Sequence, residues 1–270
     1  MPWPFEREYM QLALIAGVVV GACAPLIGVF LVQRRLSLMG DGVGHVAFAG
    51  VAAGVLTDVW PVWTALAAAI AGALIIEHLR SRGTAQGDVA LALLLYGGIA
   101  GGVVLISAAD SLDGSLLSYL FGQILTVERS EVWLIVALGA VIVATIAVCG
   151  RALFAMAVDE EWARVAGLPV GALNTVLAVL TAVTVVVAMR VVGILLVAAL
   201  MVVPVAAAQV LARSQRGILL WSVVVGVASV VLGLGIARSG GLAPGGTIVL
   251  VAVAVFGILA TGERVRVWLR

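Results

Sequence analysis

Asp41 and His45 are the residues of this sequence whose types and spacing can do chemistry. They are four positions apart, so on a helix they share one face. A carboxylate and an imidazole on one face can bind a divalent transition metal. Both fall in an apolar stretch that follows the basic pair Arg34 and Arg35, and no other Asp, Glu, His or Arg lies as far inside an apolar span. Ionisable side chains are expensive there and mark a pathway or a site. If the span begins at Arg35, His45 lies roughly 15 Å along the helix axis and Asp41 roughly 9 Å. The first figure is about the middle of a ~30 Å hydrocarbon core. Gly40, Gly42 and Gly44 interleave the pair and can break the helix, a recurring device at transporter midplanes. Two ligands are too few for a closed zinc site, which takes four; they suit an ion that must leave again. A structural alternative stands beside this one. Asp41 can cap the start of the span while His45 hydrogen-bonds a backbone carbonyl. Spacing alone admits both.

A second stretch, residues 159–167, carries acids first (Asp159, Glu160, Glu161) and Arg164 later, an order that a short helix favours. Trp162 and Val165 give it an apolar side. It reads either as an ordinary interfacial helix or as a docking helix for a cytoplasmic partner. His78, beside Arg80 at the end of an apolar run, reads as an interfacial residue.

The elements that must position these residues are membrane spans. The chain has 270 residues, 64% hydrophobic and 11% charged, against roughly 45–50% and about 25% in a soluble domain. Its segments are continuously apolar rather than alternating, which excludes an outer-membrane barrel. At roughly 20 residues per spanning helix, the length allows about eight to ten spans. The spans read as residues 10–32, 36–56, 59–76, 89–109, 132–150, 170–189, 191–212, 217–237 and 242–262. Residues 116–127 are apolar but too short to cross, and read as an interfacial or re-entrant piece. Residues 151–167 form the longest hydrophilic connection. Arg190 alone separates the sixth and seventh spans; if it faced a pore, the count would fall to eight. Cys23 and Cys149 read as small packing residues, and abundant glycine and alanine as close helix packing. The N-terminus lacks a basic region before a short apolar core, so no cleaved leader is expected.

All 15 basic residues are arginine. With residues 34–35 placed in the cytoplasm and the spans alternating, the inside holds Arg34, Arg35, Arg80, Arg82, Arg151, Arg164, Arg213, Arg216, Arg264, Arg266 and Arg270. The outside holds only Arg7, Arg129, Arg190 and Arg238. This asymmetry puts the N-terminus outside and the C-terminus inside.

Several chemistries are excluded. Without lysine there is no G-x-x-x-x-G-K-[ST] phosphate loop. H-E-x-x-H and G-x-S-x-G are absent, and no second aspartate lies deep in a span for an intramembrane aspartyl protease. No enzymatic activity is expected.

From end to end the sequence resembles the integral membrane permeases of ABC-type zinc/manganese importers. The resemblance rests on residues 28–49, which contain Gln33, Arg34, Arg35, Gly40, Asp41 and His45, and on residues 87–90 and 118–127. It also rests on residues 159–169, 192–204 and 244–250, in matching order and spacing. It implies an all-α polytopic bundle of about nine spans forming one transmembrane permease domain over residues 1–270. It implies a metal path through Asp41 and His45, and a coupling helix near 159–167 in which Asp159, Glu160, Ala163 and Gly167 meet the ATPase. Implied partners are a second copy of the chain, cytoplasmic ATPase subunits, an extracytoplasmic metal-binding protein and the lipid bilayer, with no nucleic acid. The expected location is the bacterial cytoplasmic membrane. No resident cofactor is expected, Zn2+ or Mn2+ being the cargo. Two departures stand out: Gln123 occupies a position where an acid is common, and residues 236–244 lack a tyrosine and an aspartate before Pro244. The rival readings are a gradient-driven secondary metal transporter and a permease for an iron chelate.

Overall fold

A computed structural model describes residues 7–81, 87–108, 114–122 and 124–268. In chain order the helices are α1 (Glu8–Gln33), α2 (Met39–Leu56), α3 (Pro61–Ser81), α4 (Gly87–Ala108), α5 (Gly114–Phe121), α6 (Arg129–Val158), α7 (Glu160–Val165), α8 (Val170–Met189), α9 (Ile194–Leu211), α10 (Gln215–Gly240) and α11 (Pro244–Trp268), with one 3₁₀ turn at Ile124–Thr126. Among the described residues no strand occurs, and nine helices are long and apolar enough to cross a membrane: α1–α4, α6 and α8–α11.

Burial sorts these nine. Helices α1, α2 and α8 are the most enclosed, whereas α4, α6 and α11 present most of their surface outward. Helix α8 is almost wholly buried along its second half. Its two polar residues there, Thr181 and Thr184, donate to the Leu177 and Leu180 carbonyls at 2.7 Å, so neither hydroxyl is left unpaired in an apolar setting. Around this core, α2 packs on α3 and α4, and α1 packs on α6, α9 and α10.

Pro25 lies inside α1 and cannot donate to the Gly21 carbonyl. Gly226 of α10 lies directly against that carbonyl, and neither glycine has room for a methyl group. The close seam between α1 and α10 therefore covers the backbone that the proline frees.

Tryptophan marks the two ends of the bundle. Trp60, Trp63 and Trp133 are exposed at one end, the first two edge to face with ring centroids 6.2 Å apart; Trp162 and Trp221 are exposed at the other. Such belts sit at membrane interfaces. Polar contacts respect the same division. Glu8 pairs with Arg129 at 2.7 Å, Arg238 stacks over Tyr9 and Arg190 over Tyr119, all at the first end. Gln33 reaches Gln215 at 2.5 Å, and Arg34 reaches Glu160, at the second. In these contacts among the described residues, each residue that the arginine asymmetry assigns to one side meets a residue of the same side.

Arg190 ends α8 as its C-cap, and α9 starts at Ile194. It sits between two spans, not within one, so the sixth and seventh stay separate among the nine candidate spans of the described residues. Its guanidinium pairs with Glu131 at 2.5 Å, while the other carboxylate oxygen of Glu131 accepts from the Glu128 backbone N–H at 3.2 Å, closing a capping box on α6. Next to this pair, Gly122 (φ 74°) and Gly193 (φ 90°) bring the end of α5 against the α8–α9 turn, backbone to backbone. The short apolar piece read at residues 116–127 holds most of α5, which packs on α9 and α2. Gln123 lies outside the described residues.

Several boundaries differ from the sequence reading, and two of the differences shape the sites. Helix α6 continues through residues 151–158, because Leu153 and Met156 remain buried after the span proper ends; only residues 159–169 leave the helix axis. Helix α2 begins at Met39, not at residue 36, because a structured turn occupies residues 34–38.

Candidate functional site

That turn places the Asp41/His45 pair. Helix α1 ends in a Schellman arrangement: the Leu36 N–H donates to the Leu31 carbonyl (2.8 Å) and the Arg35 N–H to the Val32 carbonyl (3.1 Å). Arg35 occupies the left-handed position, φ 58°, usually given to glycine. The flanking Leu31 and Leu36 are both buried. The Met39 N–H then returns to the Leu36 carbonyl and α2 starts.

Asp41 thus lies in the first turn of α2 and His45 one turn on, about 3 Å and about 9 Å from the helix start, shallower along the helix than the sequence suggested. Leu38 is the N-cap residue, so Asp41 does not fill that position; it lies in the first turn, where the helix dipole favours a carboxylate. His45 Nε2 lies 3.8 Å from Asp41 Oδ1, with the side chains 14% and 31% exposed. They share one face, as the spacing required, and both keep contact with open space.

The glycines around them do not break the helix. Helix α2 is continuous from Met39 to Leu56. A methyl at Gly40 would lie 3.0 Å from the Met201 sulfur of α9, and one at Gly42 3.1 Å from Leu94 of α4. Gly98 of α4 lies on the backbone between His45 and Val46. These close contacts seat α2 against α4 and α9. No group of three or more His, Cys, Asp or Glu residues capable of holding a metal occurs among the described residues.

The second candidate site forms its own unit. Asp159 caps α7, its carboxylate accepting the Trp162 N–H at 2.8 Å. Gly167 (φ 81°) ends it in another Schellman arrangement, with the Leu168 N–H on the Ala163 carbonyl and the Gly167 N–H on the Arg164 carbonyl. Ala163 is fully buried against the bundle. Glu160 also turns inward, to Arg34 at 2.5 Å, and takes Arg164 on its other oxygen at 3.2 Å. The outward side of α7 carries Trp162 and Val165, the latter 88% exposed. The four residues singled out in the sequence therefore divide by role: Asp159 and Gly167 shape the helix ends, whereas Glu160 and Ala163 fasten it to the bundle.

Sequence reasoning missed the partner of this fastening. Arg34 also donates to Asn174 of α8. Asn174 is the only asparagine in the chain; an amide one turn inside an apolar span was the available signal.

Residues 6–261 match the ABC 3 transport family. The chain is 30% identical over 251 residues to the manganese import system permease protein ScaB of Streptococcus gordonii, covering 93% of this chain and 90% of that one. It is 31% identical over 251 residues to the manganese transport system membrane protein MntC of Listeria monocytogenes, covering 93% and 89%. Its fold is similar to a chain of PsaBC from Streptococcus pneumoniae in complex with Fab: TM-score 0.85, 32% identity, 94% of this chain and 91% of that one.

Proposed function

We propose that this chain, which belongs to the ABC 3 transport family, is the membrane-spanning subunit of an ATP-driven importer that carries Mn2+ or Zn2+ into the cytoplasm. The names of its relatives favour Mn2+. The observation that carries the reading is the Asp41/His45 pair, half-buried on one face of a spanning helix and 3.8 Å apart. A carboxylate offsets part of the charge of an ion stripped of water. A single imidazole adds a borderline nitrogen that Mn2+ and Zn2+ accept more readily than Ca2+ or Mg2+. No thiolate stands near, which disfavours soft Cu(I). One chain supplies two ligands, and a second copy across a two-fold axis would supply two more.

In this reading residues 1–270 act as one permease domain, the pump is a homodimer, and a separate extracytoplasmic protein delivers the ion. ATP hydrolysis belongs to a partner chain that docks on α7, whose exposed Trp162 and Val165 offer an apolar contact beside residues 159–167. The test is uptake by the transporter assembled with its cognate partners, one metal at a time. Accumulation of Mn2+ or Zn2+ that requires ATP and disappears with Asp41→Asn is expected; accumulation of neither by the unsubstituted protein refutes the reading.

A further inference from the structure

Arg34 is the most enclosed arginine side chain among the described ion pairs, 5% exposed. Its guanidinium joins three elements: it terminates α1, holds Glu160 of α7 and holds Asn174 of α8. A buried guanidinium is tolerated only where its partners are fixed, so α7 cannot shift without moving Arg34 or leaving a charge unpaired.

The chain that leaves Arg34 has little slack. Residues 34–38 are closed by hydrogen bonds at both ends: Arg34, Arg35 and Leu36 bond back into α1, Met39 bonds to Leu36, and Gly42 bonds to Leu38. Arg35 holds the left-handed conformation and Leu36 is buried. A displacement at Arg34 therefore passes as a rigid shift to the first turn of α2, where Asp41 sits, with His45 one turn beyond. Packed elements of this kind move between discrete arrangements instead of deforming smoothly.

We propose that Arg34 is a positioning residue that transmits movement of α7 to the Asp41/His45 pair. The α7–Arg34 contact sets the two side chains, open to the ion or withdrawn from it, according to what the docked partner does. This rests on the reading that α7 meets the ATPase and that Asp41 and His45 meet the metal. It adds a residue that touches neither the partner nor the ion.

The assembled complex, reconstituted in liposomes with its ATPase and metal-delivery partners, tests it by the ratio of Mn2+ accumulated to ATP hydrolysed. Arg34→Gln keeps a polar side chain but removes the charge. It is expected to leave assembly and basal hydrolysis unchanged while the ratio falls about 10-fold, within the usual range of coupling between sites. Glu160→Gln breaks the same contact from the other side and is expected to lower the ratio similarly. The reversed pair, Arg34→Glu with Glu160→Arg, is expected to recover most of what Arg34→Glu alone loses; such recovery assigns the effect to the Arg34–Glu160 contact and not to either side chain alone, while unchanged assembly and basal hydrolysis separate it from a structural loss. A ratio equal to that of the unsubstituted protein in Arg34→Gln and Glu160→Gln overturns the proposal, as does an assembled double variant no better than Arg34→Glu. If Arg34→Gln does not assemble, Glu160→Gln and the reversed pair decide. An unsubstituted complex that carries no metal refutes the transport reading itself, a result separate from either of these.

Discussion

Arg190 and Glu131 lie 2.5 Å apart where α8 ends and α6 begins, with Tyr119 stacked 4.9 Å from the guanidinium. Both side chains are largely buried, so removing one strands the other. Arg190→Leu alone is expected to destabilise the chain by about 3–5 kcal/mol. Replacing both, Arg190→Leu with Glu131→Leu, is expected to recover most of that loss. Thermal unfolding in detergent reads the difference; equal losses in the single and double variants would show that the pair contributes nothing as a pair.

The metal pair predicts a different pattern. Asp41→Asn keeps size and removes charge, and His45→Leu removes the nitrogen. Each is expected to reduce uptake to background, with the complex still assembling, because neither substitution disturbs the glycine contacts that hold α2. Wild-type uptake in both would return the residues to a helix-end carboxylate and a packed histidine.

Gly167 makes a graded prediction. At φ 81° a β-branched residue is strained by about 1–2 kcal/mol, whereas asparagine visits this region readily. Gly167→Val is expected to lower metal-stimulated ATP hydrolysis and Gly167→Asn to retain most of it. No atom stands within 4 Å of the position a side chain would take, so crowding cannot explain a difference.

Topology is checked with single cysteines in a chain freed of Cys23 and Cys149. Cysteine at Ser81 is expected to resist an impermeant thiol reagent in intact cells, and cysteine at Thr57 to react. Both positions are exposed ends of spanning helices, α3 and α2 respectively, so access to the reagent, not burial, decides. Labelling at 81 from outside would invert the bundle.

The spans were legible because membrane helices announce themselves by hydropathy: α8 coincides with its expected limits, and the others agree to within a few residues, apart from α6 and the ends of α3 and α11. Helix α6 ran eight residues past its expected end because a single exposed arginine, Arg151, breaks hydropathy without breaking a helix. The start of α2 was missed for a different reason. A left-handed arginine at 35 leaves no mark in composition, as glycine would have. The shared face of Asp41 and His45 followed from their four-residue spacing. The Arg34–Glu160 contact did not, since it joins positions 126 apart and only the closed bundle brings them together. The expectation for Glu160 concerned a partner; the fold adds contacts within this chain, to Arg34 and Arg164.

The α1–α10 seam has a consequence for biosynthesis. The carbonyl that Pro25 leaves unpaired at Gly21 is covered by Gly226, and about 200 residues separate the two, which a ribosome adds in about 10–40 s. For that interval the first helix sits in the bilayer with an open polar notch. The notch must be shielded by water, lipid headgroups or an insertion factor until the tenth helix arrives. A nascent chain stalled before α10 therefore lacks the cover that the finished bundle gives this carbonyl.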